Sequence, residues 1–331
     1  MNARRRAAAV LAAFSLAAMA CGGSLDAGRD RSHGLLPVDE RNPVIIDNDW
    51  WKDNWLGEYA MLLANNGGPP LAGIIISNTA YWPDVSANAS GWTNLVTAAR
   101  SSGLENIPDV TVSVGAALAR PADGRIDSTT PNRSAGARLI VDVSRQLSLP
   151  WRPVVVLGGA PLTNLADAYL IDHSVVDRVV VVAALGEYAA PKGTMNGPNG
   201  DLDPWADWIV AQRFRYVQVS AYYGQTGDVT AAQVPDLPHN ALGTWMADKL
   251  PDLFTIPNAS DQIALLSVGL PAFAVAVQRA SPDTSVPFDP MQGPPLVPDP
   301  NGNAWIVTQI AAPLAAARLW QVLLDPHTFG S

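Results

Sequence analysis

The chain has 331 residues, 48% of them hydrophobic and 15% charged, which indicates a sizeable buried core and excludes a disordered chain. A formal charge of −9 without any basic run excludes recognition of a phosphate backbone, so no nucleic-acid partner is expected. Cys21 is the single cysteine, so no disulfide can form within one chain.

Residues 1–20 read as an export signal: a basic start at Arg4, Arg5 and Arg6, an apolar run from Ala7 to Ala18, and small residues before Cys21. The apolar run is too short for a comfortable membrane span. Ala18-Met19-Ala20-Cys21, followed by Gly22-Gly23-Ser24, resembles a bacterial lipoprotein cleavage site. That makes Cys21 the lipidated first residue of an exported, membrane-anchored protein at the periplasm or cell surface, with no other membrane contact. The alternative is an ordinary cleaved signal with a stray cysteine. Losing the three signal arginines, and no acids, takes the formal charge from −9 to −12. Residues 21–41 are polar and aperiodic and read as a tether, and 42–331 as one α/β domain.

Within that domain, β-branched runs alternate with helix-like ones. The expected strands are Pro43–Ile46, Leu71–Ser77, Val110–Val114, Pro153–Leu157, Val179–Val182 and Tyr216–Ser220. Candidate helices lie at Tyr59–Ala64, Ser90–Ser101, Arg133–Leu147, Pro161–Ile171 and Asp203–Arg213. The proline-rich stretch Pro282–Pro300 reads as irregular. This alternation predicts a mostly parallel central sheet with helices on both faces, a Rossmann-like open sheet. In such a sheet, ligands bind at the C-terminal edges of the strands.

The first of those edges reads Asp47-Asn48-Asp49, with Asp53 and Glu58 following. Carboxylates clustered there suit a hard cation such as calcium, or they cap the next helix and shape a turn. Later edges carry Ser77-Asn78, then Gly158-Gly159-Ala160-Pro161-Leu162-Thr163-Asn164. Further on come Asn199-Gly200-Asp201-Leu202-Asp203-Pro204 and Ala259-Ser260-Asp261.

In that order the motifs resemble the inosine-uridine-preferring nucleoside hydrolase family, over roughly residues 42–325. The resemblance implies a nucleoside hydrolase-like fold, a calcium–ribose site, and hydrolysis of the N-ribosyl bond of a nucleoside or another ribose-containing substrate. Asp49 would ligate calcium and help activate the attacking water, Asp261 would be a second carboxylate ligand, and the Gly159 carbonyl a further one. Asn78 and Asn199 would bind the sugar, and Asp47 would orient the loop. Counted without gaps, Asp53 would reach a ribose hydroxyl and Asn54 would replace a metal-gripping carboxylate, with Glu58 four residues on able to compensate. Asp53 and Glu58 are also the acids a helix N-terminus favours.

Two further departures touch the leaving group: Ser260 stands where many relatives carry histidine, and Gly197 where they carry a sugar-contacting glutamate. Another acid must then serve, with Tyr222, Tyr223 and His239 as candidates unless each is simply a surface or packing residue, or the leaving group needs none, or the protein is not a fast hydrolase. Trp50, Trp51, Trp55, Tyr81 and Trp82 flank the first two edges, and either stack a base or line the sugar pocket, Trp51 foremost, or pack the loop. His33 and His327 carry no expected function. Two other readings stay open: a non-catalytic nucleoside- or sugar-binding lipoprotein, and a hydrolase of a different glycosidic substrate. The oligomeric state is open, a homo-oligomer included.

Overall fold

A computed structural model describes residues 37–38, 41–50, 54–80, 82–183, 199–219, 231–254 and 274–325. The signal and most of the tether lie outside them. Among the described residues, no helix is long and apolar enough to cross a membrane.

The β-branched runs form strands because each is buried along its whole length between helices. β1 (Val44–Asn48), β4 (Val154–Gly159) and β5 (Val179–Ala183) expose no residue. With β2 (Leu71–Ser77), β3 (Val110–Ser113), β6 (Arg215–Val219), β7 (Ala274–Pro282), β8 (Leu296–Pro298) and β9 (Ala304–Ile310) they build a sheet of order β3-β2-β1-β4-β5-β6-β9-β7-β8. From β3 through β9 the pairs are parallel, while β7 runs antiparallel to both β9 and β8.

Alternation along the strands divides the core into two layers. Ile46, Ile74, Ile76, Val155, Leu157, Val180 and Val182 pack beneath α1 (Asn54–Asn65) and α2 (Val85–Ser101). The same layer takes Leu242 and Met246 of α7 (Ala241–Phe254) and Leu319 and Leu323 of α8 (Ala312–Leu323). Ile45, Ile75, Val154, Val156, Val179 and Val181 face the other way, toward α3 (Ala135–Leu147), α4 (Thr163–Ile171), α5 (Val175–Arg178) and α6 (Pro204–Arg213). The expected α/β architecture is therefore present.

Several boundaries move for local reasons. Asp84 caps α2 by accepting from the Ala87 amide at 2.9 Å, so the helix begins before Ser90. Ser134 caps α3, and Arg133 before it takes a left-handed φ of 55° instead of joining the helix. The stretch Pro282–Pro300 is not wholly irregular. Pro282 closes β7, and Leu296–Pro298 is β8, paired on one side only at the sheet's end, where a missing amide donor is tolerated.

Chain order reverses at β1. The chain steps from β1 to β2 and β3 on one side, then returns with β4 on the other, which opens a crevice at the C-terminal ends of β1 and β4. At the opposite end of the same two strands, the Asn42 amide donates to the Pro153 carbonyl at 2.7 Å and the Val155 N–H to the Pro43 carbonyl at 2.8 Å.

Candidate active site

The end of β1 is buried and polar: Asp47, Asn48 and Asp49 are exposed by 2% or less. Asn48 Oδ1 accepts from the Trp50 N–H at 2.8 Å, which turns the chain as the strand ends. Two α2 side chains then fix the turn: Asn88 Nδ2 donates to the Asp49 carbonyl at 2.6 Å, and Trp92 Nε1 to the Trp50 carbonyl at 3.1 Å. The Trp50 ring is stacked on Trp82, with centroids 4.3 Å apart and planes 9° from parallel. Trp50 thus packs the loop, and among the described aromatic residues here Trp82 is the one that stays exposed.

Register brings the predicted edges side by side. Asn48 lies opposite Ile76 of β2 and Gly159 of β4, so Asp49, Ser77-Asn78 and the turn after Gly159 leave the sheet together. The Gly159 carbonyl accepts from Asn199 Nδ2 at 3.2 Å, which joins a third predicted residue to this edge. Asp203 holds the Asn199 segment in place. It caps α6 through the Ala206 amide at 3.0 Å and accepts from Thr163 Oγ1 at 2.7 Å and the Leu118 amide at 2.9 Å.

Burial dominates the electrostatics here. It pushes the Asp49 carboxyl up to about 7, against hydrogen bonds from Thr79 and its own backbone. Burial also pushes Asp47 up to about 8, with the neighbouring Asp49 adding to it and bonds from Asn164 and Ser77 opposing. Three buried polar atoms at this edge have no hydrogen-bond partner among the described residues: Asp49 Oδ2, Asn78 Oδ1 and Asn48 Nδ2. Two unpartnered oxygens beside a strand-end carbonyl are hard donors, the kind calcium takes. Among the described residues, no three metal-binding His, Cys, Asp or Glu side chains are gathered, so a complete cage would need donors from elsewhere.

Asp49, Asn78, Gly159 and Asn199 are thus brought together as the sequence suggests. Asp53, Trp51, Asp261, Ser260, Gly197, Trp55's side chain, Tyr81, Tyr222, Tyr223, His33 and His327 lie outside the described residues. Asn54 opens α1 and Glu58 follows one turn later, so the condition for their sharing a helix face is met in the backbone, while their side chains lie outside the described set. His239 is exposed in the turn before α7. Sequence reasoning missed Asn88 and Asn164. Asn164 stands inside the quoted Pro-Leu-Thr-Asn turn, a signal that could have found it, whereas Asn88 lies in the first turn of α2 with no local signal of its bond to the Asp49 carbonyl.

No family model and no curated protein matches the sequence. Solved structures do. An inosine-guanosine nucleoside hydrolase superposes with a TM-score of 0.61 at 15% identity, over 86% of this chain and 98% of its own. A purine-preferring ribonucleoside hydrolase from Gardnerella vaginalis gives 0.59 at 15% identity, over 86% and 99%. The type III effector protein XopQ, complexed with adenosine diphosphate ribose, gives 0.54 at 14% identity, over 88% and 95%. The chain has the nucleoside hydrolase fold.

Proposed function

We propose that the β1–β4 edge hydrolyses the N-ribosyl bond of a nucleoside or related ribose-containing compound, with calcium as cofactor. The observation that carries this reading is the pairing of two unpartnered buried oxygens, Asp49 Oδ2 and Asn78 Oδ1, at the topological switch point of a nucleoside hydrolase fold. Asp49 and the Gly159 carbonyl would hold the ion, with Asp261, Asn54 and Glu58 as the remaining donors. When bound, calcium supplies positive charge that favours ionisation of a water and grips vicinal hydroxyls.

The chain's own residues do the rest. Asp49 Oδ2 accepts a proton from the attacking water. Asn78 Oδ1 accepts from a sugar hydroxyl. Asn199, whose amide already reaches the Gly159 carbonyl, holds the sugar from the β4 side. Buried carboxylates near the anomeric carbon favour an oxocarbenium-like sugar as the bond breaks. The exposed Trp82 face offers a planar leaving group a stacking surface. Export and lipidation at Cys21 place this chemistry outside the cytoplasm in the same proposal.

Calorimetry of the full mature chain with calcium, with and without ribose, tests the joint site. Tight calcium binding strengthened by ribose supports the reading, and no calcium binding refutes it. The XopQ complex favours one second reading, a receptor that binds a ribose-containing ligand without cleaving it. Ligand binding with no turnover across a nucleoside panel would identify that.

A further inference from the structure

Asn164, at the start of α4, is buried where five elements meet. Its Nδ2 donates to Asp47 Oδ1 and Oδ2 at 3.0 and 3.1 Å and to Ser77 Oγ at 2.9 Å. Its Oδ1 accepts from Ser113 Oγ of β3 at 2.7 Å and lies 3.1 Å from Ser134 Oγ, the cap of α3. The chain of contacts continues: Ser134 Oγ also lies 2.8 Å from Asp167 Oδ2, and that carboxylate accepts the Arg133 and Ser134 amides at 3.0 and 2.8 Å. The Asn164 amide therefore donates on its nitrogen side to Asp47 and Ser77 and accepts on its oxygen side from Ser113. The single Ser134 hydroxyl hydrogen lies between Asn164 and Asp167, and the arrangement fixes which way the amide faces. The seat is tight as well, since a Cβ on Gly136 of α3 would come within 2.8 Å of Asn164 Cγ and Oδ1.

What this amide grips is the strand that presents Asp49. Asp47 is the fourth residue of β1 and Asp49 follows the strand's last residue, Asn48, so the position of Asp49 depends on where the strand end is held. Fixing the Asp47 carboxylate fixes the strand end from which Asp49 and the Asn48–Trp50 turn depart. We propose that Asn164 is the positioning residue of this site, setting the direction of Asp49 through Asp47 from a network anchored on the cap of α3 and the first turn of α4. This rests on the reading of the edge as a hydrolytic site, and its test can be separated from that reading.

The test uses Asn164→Asp, Asp47→Asn and their double variant in the full chain, read by hydrogen exchange and by hydrolysis of p-nitrophenyl riboside, whose leaving group needs no proton. Asn164→Asp sets two carboxyls against each other. The double variant restores a donor–acceptor pair and still accepts from Ser113 and Ser134. Asn164→Asp should speed exchange of residues 47–50 about tenfold or more while peptides from β5 keep wild-type protection. The double variant should return that exchange to within about twofold of wild type. In Asn164→Asp, kcat should fall about 100-fold with KM little changed, as expected when a reacting group is misplaced by about 1 Å. Gly136→Ala crowds Asn164 without changing its chemistry and should give the same local exchange change, smaller in size. Wild-type exchange in Asn164→Asp, or equal acceleration across all peptides without rescue in the double variant, would overturn the assignment. A wild-type chain that hydrolyses nothing refutes the hydrolase reading, and the exchange results then decide Asn164 alone.

Discussion

Asp207 gives the sharpest stability test. It lies in the first turn of α6 with no exposed surface, and neither carboxyl oxygen has a hydrogen-bond partner among the described residues. Burial drives its pKa well above the ordinary carboxylate range, and the nearby Asp203 and Asp201 push the same way. The folded protein therefore keeps a proton on Asp207 at pH values where the unfolded chain, with a pKa of about 3.9, has lost it. The unfolded state binds fewer protons, so stability falls as pH rises between those two values, by about 1.4 kcal/mol per pH unit from this group. Asp207→Asn keeps the shape and the polar atoms but cannot ionise. Because Asp207 is neutral in the folded protein, the change leaves Asp203 and Asp201 in nearly the same field. Urea denaturation at pH 4, 5 and 6 should show the two proteins about equally stable at pH 4. The variant should gain stability over the wild type as pH rises from 4 to 6, so that the two curves diverge. Parallel curves would mean that Asp207 titrates alike in both states, and the account of a buried, protonated, unpartnered carboxyl would be wrong.

Gly57 on α1 leaves no room for a methyl group, since its Cβ would sit 2.4 Å from Trp92 Cζ3 and 3.0 Å from Leu95 Cδ2. Gly57→Ala should lower stability by about 1–3 kcal/mol despite alanine's better helix propensity, a loss read by thermal melting. Asp172 shows the opposite pH behaviour to Asp207. Burial pulls its carboxyl up, but bonds from Ser174, Arg178 and Arg145 outweigh that and hold it well below the ordinary range. Its contribution is present above about pH 4 and lost as pH falls toward the folded value, so Asp172→Asn should cost roughly 1–2 kcal/mol at pH 7, with the gap closing in acid. Asp49→Asn should lower hydrolysis of p-nitrophenyl riboside by about 10²–10⁴-fold and weaken calcium binding, with an unchanged circular dichroism spectrum. Full activity in that variant would remove Asp49 from its role.

What the sequence made legible was whatever rests on short-range pattern. The unbroken Val-Val-Val-Val of β5 and Ile-Ile-Ile of β2 announce buried strands, because a parallel strand covered on both faces has no polar side to show. Asp49, Asn78, Gly159 and Asn199 could be picked out because strand ends converge in such sheets wherever they fall in the chain. β7 and β9 were not picked out. Ala274–Pro282 mixes alanine with Gln278, Arg279 and Ser281, and its identity as a strand comes from antiparallel pairing with β9 rather than from its own composition. Asn164 and Asn88 act across 117 and 39 residues, separations at which no spacing rule operates. Trp50 was equally suited to stacking a ligand or packing a loop. Trp82, brought over it by the fold, decides for packing.

The polarity of β1 has a practical side. Asp49 leaves the strand at one end, while Asn42 and Pro43 are fastened to β4 at the other, with the five residues of β1 between them spanning about 16 Å. Tension applied through the N-terminus enters the sheet at that fastened end and is carried by the Asn42–Pro153 and Val155–Pro43 bonds before it reaches the strand. Load entering at residue 41 therefore falls first on the end of the sheet opposite Asp49, and the edge bearing Asp49 is the last part of β1 to feel it.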